Sequence, residues 1–494
     1  MTNTSAEESS ATQNTPPKNT PANKTSTEYT PAARTPERKT PADEESVISN
    51  RLLTDLLPIL KLTPDYVQSH LQLAPGNFLP SHLQVNELAC GAVAAAALSA
   101  ADLRDAQLAQ VDPAQVSVAF RNDQLQTIDG ERAAVFKSHS GFFPTRDGWV
   151  RLHGNYPHHR QRLLETLGLP DDSSREELAQ VLKSWDAADV ETAVTAAGGI
   201  AVKVRDSKEW RDTDQAKAAA RVPLLSIDNI RPETPTPQAA PTGRFRVLDL
   251  TRVIAGPVAT RTLAYLGCDV LRVDNPSMPE LPVQHVDTGA DKRSALLDLR
   301  EPEALHRLHE LLATADVLVT GYRPQALSAF GLDSDSLAAT YPHLIHATLS
   351  AWTFEGPWGA RRGFDSIVQA ATGIGVLESK DGKTPGAMPA QALDHATGYL
   401  LAAGILRALK WRREQGGTWR VQAHLLSTAN WLLAQGQARE QAEVLQDVSD
   451  WQVRQSGPSG NVIQSRPAFA IDRHASFSQI GGLWGSDDPS WLGD

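Results

Sequence analysis

Residues 391–409 read QALDHATGYLLAAGILRAL, and Asp394 is the one carboxylate in a run that is otherwise almost all small or apolar. A carboxylate there can do two things. It can cap a helix, its side-chain oxygen accepting from the amide two or three residues on. It can also act as a nucleophile held at the edge of a buried pocket. The two roles are compatible, because amides that donate to the carboxylate also lower its pKa and keep it ionised. His395 adjoins Asp394, but neighbours on a helix point to different faces and form no pair.

Other residues with chemistry in them carry less. TRVIAGPVAT (251–260) follows a strand pattern, and a small-residue turn into a helix lets backbone amides face an anionic ligand. It lacks the GxGxxG spacing of a dinucleotide site. Lys292, Arg293 and Arg323 stand at strand ends, where a guanidinium suits phosphate, although solvation is the expectation for a lone arginine. His153, His158 and His159 have no metal-ligand spacing, so no metal is expected. There is no GxSxG elbow and no P-loop.

The elements that must position these groups divide the chain. Residues 1–45 repeat Thr-Pro with few large apolar residues, the composition of a solvated, disordered tail. Residues 46–231 form an N-terminal region, read as a smaller α+β part. It has an Ala-rich helix over 87–103, strands at VSVAF, AAVFK and DGWVRLHGN, a Ser174–Glu177 capping box opening SREELAQVLKSW, and a helix in DAADVETAVTAAGG. PETPTPQAAPTG (232–243) reads as a Pro-rich linker. In 244–494 the strands RVLDL, DVLRVD, SALLDL, ADVLVT and HLIHATLS alternate with helix patterns. That alternation predicts an α/β fold with a doubly wound, mostly parallel, Rossmann-like sheet, whose ligands sit at the carboxyl ends of the strands.

Composition narrows the partners. The net charge of −11 argues against nucleic acid, which favours a basic face. No apolar run is long enough to span a membrane, and the polar N-terminus is no secretory signal. Two cysteines far apart, Cys90 and Cys268, fit a reducing compartment, so the expectation is a cytoplasmic protein.

At the level of whole segments the C-terminal half resembles the family III CoA-transferases, the group of formyl-CoA and carnitine-CoA transferases and alpha-methylacyl-CoA racemases. VLDLTRVIAGPVATRTLAYLGCDVLRVDNP, KRSALLDL, ADVLVTGYRPQALSAFGL, LSAWTFEGPWGARRGFDSIVQAATGI and ALDHATGYLLAAGILRAL follow one another in the family's order over 245–430. The resemblance implies that Asp394 is the catalytic aspartate, which attacks an acyl-CoA thioester and becomes an aspartyl-CoA thioester. It implies coenzyme A as the acyl-CoA substrate, held near Val253, Ile254, Ala255 and Arg272, with a small carboxylic acid as acceptor.

The N-terminal half resembles the family more faintly. VNELACGAVAAAALSAADL (85–103) is similar to a diverged aspartate segment with Glu87 in the matching place, and DGWVRLHGNYPHHRQRLLETLGL is similar to the family's small domain. The order is thus rearranged and partly duplicated. Ordinary members form interlocked homodimers, and a fused chain is expected to build some of that arrangement internally. Three departures matter. Gly321 and Ala329 stand where many transferases have an Asn and an Arg that help hold CoA. Phe364 stands where the racemases have a histidine base, and racemisation needs two bases. A transferase is therefore expected ahead of a racemase-like enzyme or a non-catalytic CoA-binding member.

Overall fold

The computed structural model describes residues 50–493 apart from 133, 135 and 236–242, and these belong to one compact unit. The Thr-Pro tail and the centre of the Pro-rich linker lie outside the described residues.

The N-terminal region begins with α1 (Arg51–Leu60), α2 (Val85–Arg104), β1 (Ala109–Val111), α3 (Pro113–Phe120) and the single turn α4 (Asn122–Leu125). A small antiparallel sheet follows, β2 (Gly141–Pro144), β3 (Trp149–Leu152) and β4 (Ala201–Lys203), in that order. It shares a core of its own, including Phe143, Val150, Leu163, Leu178 and Val190, with helices α5 (Pro157–Thr166), α6 (Arg175–Leu182) and α7 (Ala187–Ala196). The expected capping box opens α6, with Ser174 and Glu177 bonding reciprocally. VSVAF is not a strand. Its β-branched residues lie in α3, where Asp112 caps the helix through the Ala114 amide at 2.9 Å and Pro113 takes the first position. No strand covers the described residues of AAVFK either.

After β5 (Leu225–Arg231) the chain enters the alternating half: β6 (Arg246–Leu250), α8 (Ala255–Tyr265), β7 (Asp269–Asp274), α9 (Pro282–Thr288), β8 (Arg293–Leu296) and α10 (Pro302–Thr314). It continues through β9 (Val317–Thr320), α11 (Ser334–Thr340), β10 (Ile345–Ser350), α12 (Asp365–Thr372), α13 (Ala392–Gln415), β11 (Thr418–His424) and α14 (Leu425–Ala434). The sheet order is β8-β7-β6-β9-β10-β11-β5. Every neighbouring pair is parallel except β11 with β5. The chain runs outward from β6 to β8, then resumes on the other side of β6 with β9. The switch point therefore lies between β6 and β9, where an open α/β sheet leaves a crevice.

The strands are apolar throughout because both faces are covered. Leu308, Leu311 and Leu337 of α10 and α11 close one face. The other carries α8, α13 and, beyond them, α2. α13 is buried almost all round, as a helix inside a core must be. Gly398 lets it approach α8, since a Cβ there would stand 2.5 Å from the Ala255 carbonyl oxygen. α2 is its counterpart. It opens Gln-Val-Asn-Glu as α13 opens Gln-Ala-Leu-Asp, and Gly91 falls four residues after Glu87 as Gly398 does after Asp394. A Cβ on Gly91 would collide with Asn50 and Leu52 at the start of α1. The succession α2–β1–α3 thus repeats α13–β11–α14.

The halves interlock. β5 of the N-terminal region completes the large sheet, and Asp102 on α2 pairs with Arg407 and, at 2.7 Å, with Lys410 on α13. The C-terminal half expressed alone should therefore expose the α13 face and bind a hydrophobic dye. A fragment that is monomeric and unfolds cooperatively would contradict this.

Candidate functional site

Asp394 is the third residue of α13, and the N-cap position belongs to Gln391. The sequence reading of Asp394 as a cap is therefore corrected. The cap comes from another element: Asp365, the first residue of α12, accepts from the Asp394 amide at 3.0 Å through Oδ2 and also from the Leu393 amide. Its other oxygen accepts from Gln369 Nε2, and Gln369 Oε1 accepts from the Met388 amide at 3.0 Å. Asp365 thus satisfies the orphan amides of the helix start. The Asp394 carboxylate is left without a hydrogen bond among the described residues.

This reverses the expected electrostatics. Asp394 is 6% exposed, and burial, then Asp365, then Asp123 push its pKa well above the usual carboxylate range. Asp365 is itself raised to about 6, chiefly by burial against the bonds from Gln369 and the two amides. The start of α13 does not depress the Asp394 pKa because its free amides are already taken. His395 does not compensate either. It is fully buried, stacks on Phe120 at 4.9 Å, and burial lowers its pKa to about 3.

A cleft of about 730 Å³ opens at the carboxyl ends of the parallel strands, with Leu250, Asp274, Leu297, Gly321 and Ser350 on its sheet side. The N-terminal half supplies the opposite wall, including Tyr156, His159 and Arg162. Arg252, Arg300, Arg323, Arg361 and Arg362 line it too, a group type suited to phosphates, with Arg252, Arg300 and Arg361 paired to Glu280, Asp298 and Glu191. Phe364 also lines it, stacked on His153 at 4.0 Å, and the next residue is the Asp365 that caps α13. The start of the Asp394 helix is thereby tied to the cleft wall.

Of the four residues expected to hold CoA, only Val253 lines the cleft. Its φ of 72° is strained for a β-branched residue, and its amide donates to Glu280 Oε2 at 3.3 Å. Ile254 and Ala255 are buried where α8 begins. Arg272 is 1% exposed and spends its guanidinium on Asp274, at 2.7 and 3.0 Å, and on Glu280, at 3.0 Å. Glu280 also accepts from Tyr156 OH at 2.7 Å. Burial opposes its ionisation, but Arg272 and Arg252 outweigh that and hold its pKa down to about 2. This network fixes the N-terminal wall to the end of β7.

Lys292 and Arg293 are not solvated as expected. Lys292 is buried, with Nζ 3.1 Å from Asp249 Oδ2, and Arg293 pairs with Asp269 at 2.7 Å. Arg252, Glu280, Asp365 and Asp123 were not singled out from the sequence. Asp365 had a signal in the GFD of the fourth motif, and the others had none. Among the described residues no group of three or more His, Cys, Asp or Glu is placed to hold a metal, and no helix is long and apolar enough to cross a membrane.

Glu87, the counterpart of Asp394, is spent differently. Its Oε1 accepts from the Arg51 amide at 2.8 Å, so it serves the start of α1.

Residues 244–462 match the family described as CoA-transferase family III. The chain is 34% identical over 205 residues to the probable fatty acyl-CoA transferase Rv3272 of Mycobacterium tuberculosis, covering 39% of this chain and 52% of that protein. It is 27% identical over 230 residues to the human succinyl-CoA:glutarate CoA-transferase, covering 42% of this chain and 52% of the relative. The crystal structure of Rv3272 aligns at 34% identity with a TM-score of 0.35, over 38% of this chain and 56% of that one. The chain thus spans about half the length of these curated relatives. The likeness to CoA-transferase family III thus lies in residues 244–462.

Proposed function

We propose that the protein is an acyl-CoA:carboxylate CoA-transferase acting through Asp394. The observation that carries this is the unspent carboxylate of Asp394, buried at a helix start that Asp365 already caps, with Phe364, the residue before that cap, in the wall of the arginine-lined cleft. The ionised carboxylate attacks the thioester carbonyl carbon; the C–S bond breaks and CoA leaves as thiolate. The resulting mixed anhydride is attacked by that thiolate at the Asp394 carbonyl, which expels the acyl group as a carboxylate and leaves an aspartyl-CoA thioester. An acceptor carboxylate reverses both steps, collects CoA and restores Asp394.

The chemistry needs the anion, and burial among carboxylates makes the anion reluctant but a stronger base once formed. Water must be kept from the anhydride, which the packing of the N-terminal wall against the cleft supports. In the turn where β6 passes into α8 only Val253 lines the cleft, and its backbone is the proposed contact for CoA. The relatives' printed names include both fatty acyl and dicarboxylic substrates, so the substrate pair is best found by incubating the protein with a panel of acyl-CoAs and free acids and weighing the products. Exchange of CoA between acids is the expected result. CoA binding without exchange would leave a non-catalytic binding protein.

Racemisation is not expected. Phe364 offers no base, and the stacked His153 is buried, which with Arg151 lowers its pKa to about 3. Deuterium from solvent should not enter the alpha carbon of a 2-methylacyl-CoA. Exchange that depends on Asp394 would overturn this.

A further inference from the structure

Asp123 belongs to the N-terminal half, on the turn α4. It is 7% exposed, and neither carboxylate oxygen has a hydrogen-bond partner among the described residues. Nothing about the fold of α4 requires the charge. No side-chain partner holds the charge there, and a buried carboxylate without one is strongly unfavourable.

Its neighbours fix where it stands. Phe120 stacks on His395, the residue after Asp394, and on Tyr399 one turn further along α13. Gln124 Nε2 donates to the Pro389 carbonyl at 3.0 Å, just ahead of α13. Asn122 Nδ2 donates to Asp287 Oδ1 at 2.6 Å, and Asn122 Oδ1 accepts from the Ser465 amide at 2.7 Å. Asp123 is therefore bracketed by residues that grip both sides of the Asp394 position.

We propose that Asp123 is a positioning residue for the Asp394 site, with which the N-terminal half sets the ionisation of the carboxylate that the C-terminal half supplies. The inference rests on the reading of Asp394 as nucleophile. Around Asp123 stand the carboxylates of Asp287, Asp365 and Asp394 and the guanidinium of Arg121. Arg261 is occupied by Asp287, donating to its carbonyl at 2.6 Å and to Oδ1 at 3.1 Å. Arg151 acts on Asp365, and the His395 imidazole stays neutral. Burial first, then Asp287, and with a smaller push from Asp365, raise the Asp123 pKa to about 7, the Gln124 backbone amide and, more weakly, Arg121 acting the other way. Asp123 is thus neutral in mild acid and anionic in mild base. As an anion it opposes the charge on Asp394; as a neutral acid it spares it.

The test is Asp123→Asn in the full chain, with Asp123→Ser as a second variant should the amide fail to fit. Carboxyl-carbon NMR of protein labelled at aspartate assigns the Asp394 signal by its loss in Asp394→Asn. The midpoint of that signal should fall by about one pH unit or more when Asp123 is neutralised, as expected for removing a buried like charge. In parallel, hydroxylamine trapping of Asp394 after incubation with acetyl-CoA should keep its alkaline plateau and move its acid limb to lower pH. An unchanged midpoint in a folded variant overturns the proposal. So does failure of both variants to fold, which would make Asp123 a purely structural group. If trapping never labels Asp394 while the NMR midpoint still shifts, the catalytic reading fails and the electrostatic coupling stands.

Discussion

Asp394→Asn should abolish CoA transfer while leaving the fold intact, with a melting temperature equal to or above that of the parent. Loss of a covalent nucleophile removes a factor on the order of 10⁴ or more from turnover. The amide is nearly isosteric, and nothing in the helix start depends on the carboxylate, because Asp365 caps α13. The stability gain follows from the sign of the pKa shift. A carboxylate raised above its unfolded value holds its proton more tightly when folded, so it weakens the fold as pH climbs from the unfolded pKa through the folded one. An amide cannot ionise and escapes that penalty. Asp394→Ala should be inactive too, without the capping loss. That loss should appear instead in Asp365→Ala, at about 0.5–2 kcal/mol. Asp365→Asn keeps a carbonyl acceptor and should be milder. Thermal melts and turnover of these four variants separate nucleophile from cap. Full activity in Asp394→Asn would remove Asp394 from the mechanism.

Arg272→Ala should destabilise the protein by about 3–5 kcal/mol, the usual consequence of removing one partner from a buried ion network. The side chain is 1% exposed and holds two carboxylates, Asp274 and Glu280, neither of which can move to water. Trp484 Nε1 would still donate to Asp274, and Arg252 and Tyr156 to Glu280, but the bidentate pairing would be lost. Arg272→Lys should recover only part of the stability, since an ammonium cannot match the fork geometry. Denaturant titration measures both. A residue that grips CoA phosphates would behave differently: affinity for CoA would fall and stability would hold. That outcome would restore the direct CoA contact implied by resemblance.

Much of the fold is legible in the chain because its signals are local. Contiguous apolar strands alternating with helices specify parallel strands covered on both faces, and β6 to β10 lie where RVLDL, DVLRVD, SALLDL, ADVLVT and HLIHATLS place them, with ends trimmed by a few residues. The acidic residue at the start of α13 and the glycine four places on were legible for the same reason, as was their echo in α2. VSVAF misled because β propensity is weak beside a cap. Asp112-Pro113 starts a helix, and burial on all sides completes it.

Tertiary structure alone decided what the charges do. The cap of α13 comes from Asp365, 29 residues upstream, the burden on the ionisation of Asp394 from burial, then Asp365, then Asp123, and the fate of Arg272 and Lys292 from carboxylates on neighbouring elements. Sequence records that a residue can be charged. Whether that charge is solvated, paired or held at a cost depends on water excluded and partners delivered by segments far away in the chain, and neither exists until the two halves close on each other.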